Sequence, residues 1–430
     1  MKRVLGRNRR RDDGEEGGHH GVPRTRSPFV ACRMRLARRT TQVSPSKTFG
    51  VDALVREMRS RGVDIVNFSL GEPDFDTPDH IKDRAVDAIR AGFTKYTPTA
   101  GIPELRAAIC EKLRADNGLV YSPQEVLVSC GAKHSIFNAV FALCDEGDEV
   151  IIPSPYWVSY PEMVRLAGGV PVVVEGDICN GFKASASAIE KAITSRTRAM
   201  ILNSPCNPTG SVYSRRELHE IAEVAVAHGV VVISDEIYEK LVYGGVEHVS
   251  IASLGPDIKQ FTIVINGVSK TYAMTGWRVG YAAGPREVIQ AMETIQGHVT
   301  SNPTSISQKA ALAGITGPKE PVERMRAEFA RRREYMVGRL NEIPDVTCPV
   351  PDGAFYAFPD ISRYFGRRID DVVIKDSTTF AEALLRHGHV AVVPGIAFGC
   401  DTCVRLSYAT SMARIAEGLD RMGEVLSRAR

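Results

Sequence analysis

From about residue 44 onward the chain switches repeatedly between two hydrophobic periods. Val51, Leu54, Val55 and Met58 fall at helical spacing across 49–61, and the apolar run at 65–70 then reads as a strand. Helices are expected over 80–91 and 103–117, then a strand over 125–129 and a helix opening near Gly131. Strands at 149–153 and 170–174, a helix at 186–193 and a strand at 198–203 continue the alternation. A helix at 215–228 and strands at 230–234 and 261–266 follow. Strands alternating with helices predict an α/β fold with a mostly parallel sheet covered on both faces. In such a sheet the ligand site lies at the carboxyl ends of the strands.

Beyond about Pro303 the texture changes. A long charged helix is expected over 320–342, short strands near 354–358 and 390–393, and a closing helix over 412–427. This divides the chain into an N-terminal arm (44–75), a large domain (76–303) and a smaller domain (304–430) that takes the arm as a supplement. No repeat with a period of about 20–50 residues is visible, which argues against solenoids and propellers.

Residues 1–43 sustain neither period, so no core-forming element is placed there. The net charge of +3 hides a division at this point: residues 1–48 hold 13 Lys/Arg and 4 Asp/Glu, and the rest of the chain holds 41 and 47. A basic tail precedes a mildly acidic body. The tail reads as a disordered extension, as an organelle transit segment or as a nucleic-acid-binding arm. The acid-free basic stretch 25–39 favours transit, whereas Asp12, Asp13, Glu15 and Glu16 oppose it. No apolar stretch follows the first charges, as a secretory signal requires.

A composition of 43% hydrophobic and 24% charged residues, with a mean hydropathy of −0.12, excludes collagen and wholesale disorder. Nine cysteines over this length form no disulfide framework and suit a reducing compartment. No apolar run approaches the roughly 18 residues that a membrane span needs.

Three stretches, each directly after an expected strand, carry the chemistry. Gly267-Val268-Ser269-Lys270-Thr271-Tyr272-Ala273-Met274-Thr275-Gly276-Trp277-Arg278 sets one lysine among small and hydroxyl residues, with an arginine eight residues on. Such a loop can hold an amine near a cofactor aldehyde, although a lone lysine in a turn is ordinarily a surface group. Ser234-Asp235-Glu236-Ile237-Tyr238 puts an acid at a buried strand end, where it meets a ligand or caps a helix. Asn203-Ser204-Pro205-Cys206-Asn207-Pro208-Thr209-Gly210, taken alone, is explained by turn chemistry.

In this order and at these separations, the three stretches resemble the aspartate aminotransferase family of pyridoxal-phosphate enzymes. The resemblance runs from about Ser44 to the end of the chain. It is more specifically similar to the bacterial-type branch that supplies plastid aspartate and prephenate aminotransferases. Ser69-Leu70-Gly71-Glu72-Pro73-Asp74-Phe75, Lys95-Tyr96-Thr97-Pro98, Pro155-Tyr156-Trp157-Val158-Ser159-Tyr160-Pro161 and Val404-Arg405-Leu406-Ser407-Tyr408-Ala409 fit that branch. The resemblance implies a seven-stranded, mostly parallel sheet in a large domain with a smaller α+β domain, and a homodimer.

The resemblance also implies roles. Lys270 carries pyridoxal 5'-phosphate covalently and shuttles the substrate Cα proton; Asp235 pairs with the pyridine nitrogen. Tyr238 and Asn207 bond the ring oxygen, and Trp157 stacks on the ring. Gly131, Ala132 and Lys133 at a helix start, with Ser269 and Arg278, cradle the phosphate, which Tyr96 reaches from the neighbouring subunit. Arg405 and the Gly71 N–H take the substrate α-carboxylate, and Trp157 and Asn207 also border the substrate. Thr48 and Lys133 match positions that favour dicarboxylic substrates and prephenate, while Ser44 stands where prephenate-active relatives usually carry Lys or Arg. The implied reaction is transamination between aspartate or glutamate and 2-oxo acids, with prephenate a further acceptor. Alternatives on the same fold are an aromatic or other amino-acid aminotransferase and a pyridoxal-phosphate lyase. The implied location is a plastid if 1–43 is a transit segment and the cytoplasm otherwise.

Other features are set aside. Cys400-Asp401-Thr402-Cys403 lacks the two further ligands that zinc needs and reads as packing thiols beside the Arg405 strand. His387-Gly388-His389 reads as a turn after a helix, and no metal site is expected. Neither G-x-G-x-x-G nor G-x-x-x-x-G-K occurs, so nicotinamide and P-loop chemistry lack support. A DNA-binding regulator would need a helix-turn-helix before residue 44, and no nucleic-acid or membrane partner is expected.

Overall fold

The structure is a computed structural model that describes residues 36–43 and 55–430. Its centre is a seven-stranded sheet in the order Val126–Ser129, Gly280–Ala283, Thr262–Gly267, Val231–Asp235, Thr197–Asn203, Glu149–Ser154, Val170–Glu175. All strands run parallel except Gly280–Ala283, which is antiparallel to both neighbours. The expected α/β architecture is present. The apolar runs Ile263-Val264-Ile265 and Met200-Ile201-Leu202 are buried on both faces, because helices cover the sheet twice. Strand alternation sends Val126 and Val128 toward the helices Asp79–Arg90, Pro103–Asn117 and Ser305–Thr316. It sends Leu127 toward Ala132–Leu143 and Arg286–Val299.

Two differences from the expectation concern this sheet. The strand Gly280–Ala283 has a Gly-Tyr-Ala-Ala sequence with little strand signal of its own, and its neighbours recruit it. The helix Ser305–Thr316 lies past Pro303 in sequence yet packs on Asp79–Arg90 and Pro103–Asn117, so the texture changes before the core does.

A second core gathers Glu320–Glu342, Ser377–Gly388 and Met412–Ser427 against a small antiparallel sheet, Val393–Pro394, Val404–Ser407 and Tyr356–Ala357. The arm joins it: Val66–Asn67 pairs in parallel with Val390–Ala391, and the Ser407 N–H donates to the Phe68 carbonyl at 2.9 Å. Phe68 is wholly buried beneath Gly418, where a Cβ would strike its ring. That anchor fixes where Ser69, Leu70 and Gly71 go. Of the expected strand at 65–70 only Val66–Asn67 forms, and of the helix at 49–61 the described part is 55–60. Within the tail, Arg39–Gln42 makes one helical turn with no buried residue.

Candidate active site

Asn203 and Asp235 end neighbouring strands and face each other in register. Gly267 ends the next strand, and Ser129 pairs with Gly280 at the same sheet edge. This edge, together with the arm and the second core, encloses a cavity of about 410 Å³. Lys270, Asp235, Tyr238, Asn207, Trp157, Ala132, Lys133, Ser269, Arg278, Gly71 and Arg405 all line it.

The charged groups are held by short bonds. Lys270 Nζ donates to the Gly71 carbonyl at 2.5 Å. Burial pushes its pKa down to about 8, opposed by the Glu72 carboxylate and reinforced by Arg405 and Arg278. Asp235 accepts from the Tyr160 hydroxyl at 2.6 Å and from the Ile237 N–H at 3.3 Å. Burial raises its carboxyl to about 6, and the Tyr160 bond is the largest opposing effect. Tyr238 is buried, which holds its hydroxyl protonated, and that hydroxyl lies 2.8 Å from the Tyr356 hydroxyl.

A chain of bonds couples acid to arginine. Asn203 Nδ2 donates to the Asp235 carbonyl at 2.9 Å, and Asn203 Oδ1 accepts the Asn207 N–H at 2.8 Å. Arg405 then donates to Asn207 Oδ1 at 3.0 Å and to the Ser69 carbonyl at 2.7 Å. Its guanidinium lies 4.5 Å from the Tyr356 ring centre and 5.0 Å from that of Phe398. A fork held on these sides is pre-aimed for a carboxylate.

Opposite stands an anion cradle. Gly131, with φ of +91°, precedes Ala132–Leu143, a helix whose first N–H groups carry the positive end of its dipole. A Cβ at Gly131 would collide with the Arg278 guanidinium, so glycine is what lets that cation approach. Arg278 donates to the carbonyls of Thr275 at 3.0 Å and Cys130 at 3.3 Å. Lys133 Nζ lies 4.7 Å from the Trp157 ring centre, its pKa lowered first by burial and then by Arg278.

Three expected site residues are not among those lining this cavity. Gly131 stands just behind it at the start of Ala132–Leu143. Tyr96 is 92% exposed on the surface, and Thr48 lies outside the described residues, as do Ser44 and Lys47. Conversely, Ser69, Glu72, Tyr160, Asn203 and Tyr356 line the cavity without having been assigned roles. Tyr160, Asn203, Ser69 and Glu72 lie inside stretches already singled out, so motif membership was their available signal. Tyr356 carried none beyond its short strand.

Glu236, Glu239 and His248 bring ligand atoms within 4.8 Å of one another. Glu236 is already bonded by Ser234, Ser250 and His248, and Glu239 by Lys112 and Asn117. These carboxylates are occupied by protein donors.

A buried lysine amine with a lowered pKa, a buried acid in the same cavity, an aromatic ring and an anion cradle together suit a ligand that joins an aldehyde, a heteroaromatic nitrogen and a phosphate. Pyridoxal phosphate has those three groups, and this donor set fits it. The fold and cavity thus define a lysine-dependent enzyme of amino-acid chemistry. Residues 63–422 match the family model "Aminotransferase class I and II". The chain is 50% identical to an aspartate aminotransferase of Geobacillus stearothermophilus, over 90% of this chain and 98% of the relative. It is 47% identical to a bifunctional aspartate aminotransferase and glutamate/aspartate-prephenate aminotransferase of Petunia hybrida, over 92% and 84%. The crystal structure of the Rhizobium meliloti aspartate aminotransferase superposes with a TM-score of 0.90 at 44% identity, covering 92% of this chain and all of that one. The Thermus thermophilus enzyme solved with maleate gives 0.86 at 45%, covering 91% and 100%. The chain belongs to the class I and II aminotransferases and is a pyridoxal-phosphate-dependent transaminase.

Proposed function

We propose that the enzyme moves the amino group of aspartate or glutamate to 2-oxo acids, 2-oxoglutarate and oxaloacetate among them, and accepts prephenate as well. The observation that carries this reading is Lys133, whose ammonium enters the same cavity as Arg405. Among the described residues no carboxylate forms an ion pair with Lys133, which leaves its charge for a second substrate carboxylate. Substrates with two carboxylates then meet two cations, Arg405 at the α-carboxylate with the Gly71 N–H, and Lys133 at the distal one. The names of the bacterial and Petunia relatives, and the maleate bound to the Thermus enzyme, support a dicarboxylate preference.

When bound, pyridoxal phosphate supplies an electron sink for the pair left at Cα. In this reading Lys270 attaches it, Asp235 holds its ring nitrogen, Tyr238 and Asn207 bond its ring oxygen, and Trp157 covers its face. Ser269, Arg278 and the N–H groups after Gly131 hold its phosphate. Lys270 Nζ, once released, takes the proton from Cα, a task for which an amine with a pKa near 8 is close to matched at neutral pH. Arg405 fixes which Cα bond stands perpendicular to the ring. We assign the exposed Tyr96 to a neighbouring subunit's phosphate, which makes the active unit a homodimer. We read the chain as a basic extension, an arm, a large cofactor-binding domain and a smaller domain, placed in a plastid if the extension is a transit segment and in the cytoplasm otherwise. Among the described residues no helix is long and apolar enough to cross a membrane.

A turnover panel of aspartate, glutamate, tyrosine and prephenate, run on wild type and Lys133→Ala, tests the substrate reading. Aspartate and glutamate should lead in the wild type, and the variant should lose that lead. Tyrosine leading in the wild type would favour an aromatic aminotransferase, and an unchanged preference in the variant would remove Lys133 from specificity.

A further inference from the structure

The stretch Cys400-Asp401-Thr402-Cys403 is not absorbed by the transamination chemistry, and the structure gives it a geometry beyond inert packing. Both thiols are free. The Thr402 hydroxyl lies 3.5 Å from Cys400 Sγ and 3.7 Å from Cys403 Sγ, so one side chain reaches both sulfurs. Cys403 is wholly buried, while Cys400 is half-buried at the surface of the loop. The neighbouring Cys403 thiol pulls the Cys400 thiol down to about 7, and the same proximity together with burial pushes Cys403 up. One thiol is therefore reachable and partly ionised at neutral pH, with a protonated partner beside it.

This loop also touches the active site on two sides. Its ends close on each other: the Gly395 N–H donates to the Cys403 carbonyl at 2.9 Å and the Cys400 N–H to the Gly395 carbonyl at 3.1 Å. The Phe398 ring packs on the Arg405 guanidinium, two residues beyond Cys403. Across the cleft the Tyr156 N–H donates to the Phe398 carbonyl at 3.0 Å, and Ser154 Oγ to the Gly399 carbonyl at 3.1 Å. Trp157, a wall of the cavity, follows directly. At Gly399, φ is +78° and a Cβ would press on Tyr156 and Ser154, so the two segments have no slack between them.

We infer that Cys400 and Cys403 form a thiol–disulfide site that reacts with disulfide oxidants, small or protein-borne, and reports on the Arg405 pocket. The Cys400 thiolate attacks one sulfur of the oxidant disulfide, forming a mixed disulfide and releasing one thiolate. Cys403 then loses its proton and attacks the Cys400 sulfur, closing an intrachain disulfide and releasing the second thiolate. The two cysteines give up two electrons and two protons, and the oxidant is reduced to two thiols. Drawing the sulfurs together moves the 395–403 loop and with it Phe398 and Arg405. This inference stands apart from the choice of substrate.

The test incubates the full-length, cofactor-loaded enzyme in glutathione buffers of graded oxidation, followed by alkylation and peptide mass analysis. The expected result is a single peptide carrying both cysteines and lighter by two hydrogen atoms, with Cys400 and Cys403 both protected from alkylation. A several-fold rise in KM for aspartate should accompany it, reversed by dithiothreitol. Cys400→Ser and Cys403→Ser should each abolish the linkage and the KM change. Two free thiols under the oxidising buffers, or glutathione retained on Cys400 without closure, would overturn the inference. A 400–403 disulfide with unchanged kinetics would overturn the coupling to Arg405.

Discussion

The acidity of the Lys270 amine is the property on which the site depends, and it can be measured as a rate. An amine attacks an aldehyde only when neutral. At the ordinary lysine value of 10.5 a negligible fraction would be neutral near pH 7, but burial among Arg405 and Arg278 brings Lys270 to about 8. That lowering raises the neutral fraction at about pH 7 from below about 0.1% to about a tenth, a gain of roughly 300-fold. Rapid-mixing measurement of pyridoxal-phosphate uptake by the cofactor-free enzyme reads this fraction directly. The rate should climb about tenfold between about pH 7 and pH 9 and then level off. Glu72 is the carboxylate that holds the ammonium back from falling further, so Glu72→Gln should move the plateau to lower pH. A wild-type rate still rising tenfold per unit beyond about pH 9 would refute the argument, because it would show an unperturbed amine.

Three further outcomes follow from named contacts. Arg405→Lys keeps the charge but loses the fork to Asn207 and Ser69, and a charged hydrogen bond of about 1.5–3 kcal/mol corresponds to a roughly 10- to 150-fold drop in kcat/KM for aspartate. Tyr160→Phe removes the main donor to Asp235, so the Asp235 carboxyl rises above about 6 and the acid limb of the activity profile moves to higher pH. Its direction is fixed, since losing a donor always disfavours the carboxylate. Tyr356→Phe keeps the ring under Arg405 and deletes the bond to Tyr238, which at about 1 kcal/mol should lower kcat about fivefold with KM for aspartate little changed in steady-state assays.

Much of the molecule was legible in the sequence where local pattern and tertiary demand agree. The helices Pro103–Asn117, Arg215–His228, Glu320–Glu342 and Met412–Ser427 fall where the periodicity places them. The central strands differ from expectation by a residue at most at either end, because buried parallel strands are nearly continuous apolar runs. Gly280–Ala283 was not legible, since alanine and glycine announce no strand and only pairing with Val126–Ser129 and Thr262–Gly267 makes one. In the site, the motif residues after the strands converge as expected because the strand ends share one edge. Tyr356 was hidden for the opposite reason: it arrives from the second core, and its closeness to Tyr238 depends on how the two cores pack. The Tyr160–Asp235 bond spans 75 residues and likewise follows from the fold alone. The basic tail, which dominates the net charge, contributes no described residue to the cavity; the cations that do, Lys133, Lys270, Arg278 and Arg405, sit in a body that is negative overall.

We propose Lys270 as the amine that carries the cofactor. Borohydride reduction of the loaded enzyme, followed by proteolysis and mass mapping, tests it most directly. One pyridoxyl group per chain is expected, on the peptide containing Lys270, and none in Lys270→Ala. A pyridoxyl group on Lys133 or any other lysine in the wild type would contradict it.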